Sequence, residues 1–276
     1  MSDFVALKRG RTAISGGLHV VFDVVLAVFI LVVTAVSGTW VFGAGLVVLS
    51  KWRMIAVRPR YWLLNIKSNL VDIIVGLGVV LLIYHAGLNI GADAWVLGIA
   101  GMELTMAHAF WTVIYMVWLI WLKHQTSELM TEAQALVAVF VGMSAVGLVL
   151  GGVDVIFMVV AGFVIGYGAM RHVLVQSEDY DFTLMTFVMG LILAEITWAL
   201  YHWTIILSYG RTQIVIPQVA VIATLAIFAV GKVYKAAVRH DGKIRPRDVW
   251  KTVVFSVILM VLMLVWFSDP IKNLAR

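Results

Sequence analysis

No cysteine occurs in this chain, which removes disulfides, thiolate metal sites and thiol nucleophiles together. Charge is scarce too: 13% of the 276 residues are Asp, Glu, Lys or Arg, about half the ~25% usual in soluble domains. The longest polar stretch runs to about 20 residues, too short to hold a soluble domain of its own. Motifs for chemistry are missing as well. There is no nucleotide-binding loop, HExxH pair, nucleophile elbow or His-rich array. The seven histidines are scattered without metal-ligand spacing. A retinal Schiff base would need a lysine in mid-membrane on a late helix, and Lys232 lies too near a span end. No metal, cofactor or nucleic-acid partner is therefore expected.

What is present is apolar. Hydrophobic residues make up 63% of the chain, and the mean hydropathy is +1.02. Several runs exceed the roughly 18–20 apolar residues that cross a ~30 Å hydrocarbon core. A β-barrel would alternate polar and apolar residues over ~10-residue segments, and these runs do not. The expected fold class is all-α, a polytopic integral membrane protein in a lipid bilayer.

Apolar runs and their breakers predict nine spans, near 18–36, 38–51, 68–86, 94–122, 132–150, 153–171, 182–208, 214–236 and 250–268. The second is short and Gly-rich. Segment 51–67 mixes basic residues with Trp52, Tyr61 and Trp62 around Pro59, the composition of an interfacial helix or elbow. With a cytoplasmic N-terminus, only Arg211, Lys272 and Arg276 of the 20 basic residues fall outside. That asymmetry predicts a multi-pass plasma-membrane protein with its N-terminus in and its C-terminus out. In a competing reading, Lys8 to Arg11, an apolar run and Ala35-Val36-Ser37 form a cleaved signal peptide, leaving eight spans. The basic loop 232–251 sets topology, or binds anionic lipid headgroups.

A displacement of 92 residues lays Glu103-Leu104-Thr105 on Glu195-Ile196-Thr197. The shared pattern continues without a gap as E-[LI]-T-x-A-x-x-x-W-T-[VI]-I. Further on, Gln134 matches Gln218, and the segments starting at Asp154 and Asp248 align. These matches predict a duplicated three-span unit, with an N-terminal membrane region at 1–93 and units at 94–175 and 176–276. Units of an odd number of spans are inverted relative to each other, as in many secondary transporters, whose sites lie near the midplane. Chance similarity between apolar helices is the alternative.

The polar residues inside the spans are the candidate site. An intramembrane carboxylate costs about 2.5–3.5 kcal/mol on insertion scales and faces a cavity or a partner. Glu103 and Glu195 are therefore expected near the midplane, as proton, cation or substrate contacts or as interhelical glue. His202 shares a face with Glu195, His108 follows Glu103, and Trp111 and Trp203 are set deep enough to wall a pocket. His19, Asp23, Asp72 and Asp154 are secondary candidates, with structural roles the plainer expectation. Lys232 and Lys235 are expected to snorkel. Gly162-x-x-x-Gly166 permits close helix approach.

Three functions remain open from sequence. The first is a transport protein, secondary transporter or channel-like, for a small solute or ion, proton-coupled through the glutamates. The second is a non-catalytic membrane subunit or scaffold, as a homo-oligomer or with a membrane partner. The third is an intramembrane enzyme using Glu and His.

Overall fold

A chain crossing hydrocarbon must satisfy every backbone N–H and C=O internally, and the apolar runs here do so as helices. The structure is a computed structural model and describes residues 13–88, 90, 96–99, 102–149, 153–175, 182–202, 205–208, 210–240 and 242–266. Its helices are α1 (Ala13–Ser37), α2 (Trp40–Ser50), α3 (Trp52–Ile55), α4 (Trp62–Ser68), α5 (Leu70–Leu88), α6 (Met106–Ile120), α7 (Glu128–Val149), α8 (Val155–Leu174), α9 (Phe182–Tyr201), α10 (Gln218–Arg239) and α11 (Pro246–Trp266). Two antiparallel hairpins interrupt them: β1 (Val96–Ile99) with β2 (Met102–Thr105), and β3 (Ile206–Ser208) with β4 (Val215–Pro217).

Among the described residues seven helices are long and apolar enough to cross a membrane: α1, α5, α6 with the 3-10 turn Leu122–His124, α7, α8, α10 and α11. Two shorter apolar helices, α2 and Thr183–Ala199 within α9, join them. The outer helices keep greasy faces: only 11% of the apolar window of α11 and 17% of that of α1 is buried. An apolar surface of that extent belongs in lipid, and the chain is a helical membrane protein.

Contacts between helix ends fix their directions. One cleft gathers Val71 of α5 and Gln134 of α7 with Lys123 and His172. So α5 and α7 begin at the end of the bundle where α6 and α8 finish. Lys51, just after α2, pairs there with Asp72, and Lys232 of α10 pairs with Glu132 of α7. At the other end β2 meets the ends of α1 and α5, and Gly147 of α7 faces Pro217 of β4. Gln218 at the start of α10 donates to the carbonyl of Met263 late in α11. Among the described residues these helices thus alternate in direction, with both hairpins at one end and the ion pairs at the other.

Small residues set the closest contact, between α8 and α9. A Cβ on Gly166 would lie 2.7 Å from the Met189 carbonyl and 2.9 Å from the Leu193 Cβ, while one on Gly190 would meet the Phe163 ring. This is the close approach expected of Gly162-x-x-x-Gly166. Segment 51–67 forms α3, a 3-10 turn at Pro59–Tyr61 and α4, with Trp52, Tyr61, Trp62 and Leu63 exposed. Arg60 lies over the Tyr61 ring, 4.6 Å from its centroid.

Four expectations are corrected. The run 94–122 is not one helix: Gly98 pairs with Glu103 across the first hairpin, and the helix begins only at Met106. Thr105 caps it in a capping box with His108, which satisfies backbone donors at the new N-terminus. The run 182–208 likewise stops at Tyr201 and gives way to β3. Most of the basic loop 232–251 is helix, since α10 continues to Arg239 and α11 starts at Pro246. Lys232 and Lys235 are held there by glutamates of α7, not left to snorkel.

Candidate functional site

The sequence-predicted residues do not gather in one place. Glu103 sits on β2, exposed, at the hairpin end of the bundle. Glu195 lies in α9, six residues before its end, and faces outward beside exposed Leu191 and Trp198. The element carrying Glu103 packs on α1, α5 and α6, whereas α9 packs on α8 and α10. The motif shared by the two halves therefore begins as strand and helix start in one copy and as the last turns of a helix in the other. His202, past the end of α9, is exposed and meets Trp198 and Tyr201 edge-on, at 5.9 and 5.2 Å between ring centroids. Trp203 lies outside the described residues. Trp111 is buried in the core against Phe110, 4.8 Å away in a T-shaped contact.

The secondary candidates divide similarly. His19 is exposed and Asp23 half-buried on α1. Asp154 is the N-cap of α8, accepting from the Ile156 N–H at 3.0 Å, a structural role. Asp72 is the hub of the basic end. Its Oδ2 faces Lys51 and, at 2.9 Å, Lys123, while its Oδ1 accepts from the Trp118 indole N–H at 2.9 Å. Burial, the largest influence, holds the Lys51 ammonium below the usual lysine range, and Asp72 works against it.

Two polar clefts open at opposite ends of the α5–α6 pair. The cleft at the hairpin end has a volume of about 300 Å³ and is lined by Thr34, Tyr84, Glu103 and His108 among apolar neighbours. His108 is buried, and its Nδ1 accepts from the Thr105 N–H at 3.1 Å. In the neutral ring that bond puts the proton on Nε2, the atom nearest Gly87 at the cleft wall.

The cleft at the basic end has a volume of about 340 Å³, with Lys67, Lys123, Gln134, Arg171 and His172 in its wall. Gln134 donates its amide to the carbonyls of Leu122 and Gln125, the latter at 2.9 Å. That fixes its orientation, so its Oε1 accepts from His172 Nε2–H at 2.6 Å. Sequence reasoning passed over Lys67, Gln134, Arg171 and His172 as site residues. Each stands at a span end, where polar residues are ordinary, and their convergence is tertiary.

Between the clefts lies a packed plug. Val71 and Ile83, lining opposite clefts, stand about 18 Å apart along α5 at 1.5 Å per residue. Tyr115 is midway along α6, about 10 Å from His108 and about 12 Å from Lys123 by the same rise. It is 1% exposed, and its Oη has no hydrogen-bond partner among the described residues. Gly76 faces it across α5: a Cβ there would lie 3.5 Å from that oxygen. Thr34 Oγ1, at the margin of the hairpin-end cleft, is likewise buried without a partner among the described residues. Buried polar groups are rarely left unpaired; Ser144 Oγ and Ser256 Oγ share this state among the described residues.

No cluster of three or more metal-ligating side chains occurs among the described residues. No protein-family model, curated protein or solved structure matches this chain.

Proposed function

We propose that this chain is a membrane transport protein for a small solute or ion, crossing the bilayer nine times with the basic end in the cytoplasm. The observation that carries the reading is the pair of polar clefts at opposite ends of α5 and α6, with the buried Tyr115 hydroxyl between them beside Gly76. A carrier needs a polar contact near the midplane that can be reached from either side in turn. Tyr115 takes the position that the glutamate pair was expected to hold. Glu103 and His108 belong to the outer mouth, where a carboxylate and an imidazole suit a proton or a cation.

The test needs no knowledge of the solute, because the chain has no cysteine of its own. Tyr115→Cys is introduced alone and exposed to a membrane-impermeant methanethiosulfonate reagent, in right-side-out and then in inside-out vesicles. Transport predicts modification from both sides. A folded variant, monodisperse on gel filtration and protected from both sides, would sink the proposal.

Glu195 favours a second reading, a membrane subunit that works in a larger assembly. A carboxylate on the outward face of a spanning helix costs about 2.5–3.5 kcal/mol against lipid, and a neighbouring subunit would relieve that cost. Glu195→Leu then lowers the oligomeric fraction on native gels of mild-detergent extracts. An unchanged monomeric band in wild type and variant counts against this reading.

A further inference from the structure

The cleft at the hairpin end carries negative charge that the chain does not neutralise. The stretches that line it, within 12–50 and 68–122, contain no Lys or Arg. Glu103 lines it from β2, and its carboxylate has no hydrogen bond or ion pair among the described residues. Two helices also end at its wall. Ala35 and Val36 lie in the last turn of α1, Gly87 and Leu88 in the last turn of α5. The last four carbonyls of a helix have no partner within it, and each C-terminus acts as about half a negative charge. Both ends therefore add to the field of the carboxylate.

One donor faces this field. The capping box that starts α6 holds the His108 ring in place, and the ring is 1% exposed. With Nδ1 accepting from the Thr105 N–H at 3.1 Å, the proton on Nε2 points to the cleft wall beside Gly87. That N–H has no partner among the described residues. A buried donor calls for an acceptor, and a bare metal ion offers none. No three metal-ligating side chains meet among the described residues either.

Resting on the transport reading, we infer that this outer mouth takes a small organic monocation. Its ammonium group faces Glu103 and the two helix ends, and a hydroxyl or carbonyl oxygen on the same molecule accepts from His108 Nε2–H. Glu103 is the one formal charge in the wall among the described residues, so a single ammonium balances it. A zwitterion would bring a carboxylate with no cation to meet. The cleft volume of about 300 Å³ lies at the small end of the range for ligand sites, ~300–1,000 Å³.

The full chain in a non-ionic detergent is titrated calorimetrically with ethanolamine, ethylammonium and sodium, all as chlorides at fixed ionic strength. Ethanolamine should bind about threefold tighter than ethylammonium or better, since only it offers His108 an acceptor, and both should bind more tightly than sodium. Glu103 is exposed on a hairpin, so Glu103→Gln leaves the packed core untouched. It should weaken ethanolamine by roughly tenfold or more, and Glu103→Asp should recover part of that loss. Glu195→Gln, which removes an exposed carboxylate from α9, should change nothing. In Gly87→Val the new Cβ would lie 3.6 Å from His108 Nε2, narrowing the cleft without altering its charge, and binding should fall again. Wild-type protein that binds ethanolamine no better than ethylammonium or sodium, or Glu103→Gln and Glu195→Gln that weaken binding equally, would overturn the assignment. Calorimetry reads binding without passage. Binding absent while Tyr115→Cys still labels from both sides overturns the solute class alone. Binding present while that cysteine is protected supports the site and overturns passage.

Discussion

Trp118 Nε1 donates to Asp72 Oδ1 at 2.9 Å, joining the last turn of α6 to the first turn of α5 across 46 positions of sequence. With Lys51 and Lys123 on the other oxygen, this carboxylate ties α2, α5 and α6 together at one end of the bundle. The side chains of Lys51 and Asp72 are 9% and 12% exposed, so neither charge has bulk water to fall back on. Breaking a buried pair from one side is expensive because the other charge stays behind, typically about 3–5 kcal/mol. Asp72→Asn is expected to lower stability by that order in detergent unfolding followed by circular dichroism. The double variant Lys51→Met with Asp72→Leu removes both charges and should recover part of the loss. A double variant no more stable than Asp72→Asn would mean that the hub contributes through something other than ion pairing.

A different cost governs the contact of α8 with α9. Gly166 faces backbone, and a side chain there meets the Met189 carbonyl at 2.7 Å, which cannot rotate away. Overpacking of this kind costs about 1–3 kcal/mol. Gly166→Val should therefore destabilise the protein by that amount or more. Gly45→Val, where a Cβ meets nothing within 4 Å, serves as the control. Unfolding midpoints equal in the two variants would show that α8 and α9 do not pack this closely in solution.

The long apolar helices were legible in sequence because run length against bilayer thickness is a strong physical signal, but their ends were not. α7 starts at Glu128, ahead of the expected residue 132, because Glu128 and Glu132 are paired across to Lys235 and Lys232 of α10. Hydropathy counts such residues as breakers, and only the tertiary partner makes them helical. Glu103 was misplaced for a related reason. An apolar hairpin and an apolar helix have the same hydropathy, and the local signals were quieter: glycines at 98 and 101, then Thr105 with His108 three residues on. The clefts left less trace still, since Lys67, Lys123 and Arg171 come from separate span ends about fifty residues apart. Their meeting is a property of the bundle.

Alternation of the helices makes a prediction about sidedness that the lack of native cysteine renders direct. Leu97 and Arg211 lie on exposed positions of the first and second hairpin regions, and Ser37 is exposed at the end of α1. Val175 and Lys243 are exposed at the basic end. The positive-inside rule puts the basic end in the cytoplasm. Single cysteines at positions 37, 97 and 211 should therefore react with a membrane-impermeant maleimide on intact cells. Those at 175 and 243 should react only after permeabilisation. The pairs also probe the two short helices. α2 has 11 residues, about 16 Å at 1.5 Å per residue, which is short for a ~30 Å core unless the bilayer thins or neighbouring helices shield its ends. If α2 does not cross, position 37 and a cysteine at exposed Ser68 will label from the same side. If α9 does not cross, positions 175 and 211 will do so. Either result reduces nine crossings to fewer and overturns that part of the transport reading, while the two clefts keep their places at opposite ends of α5 and α6.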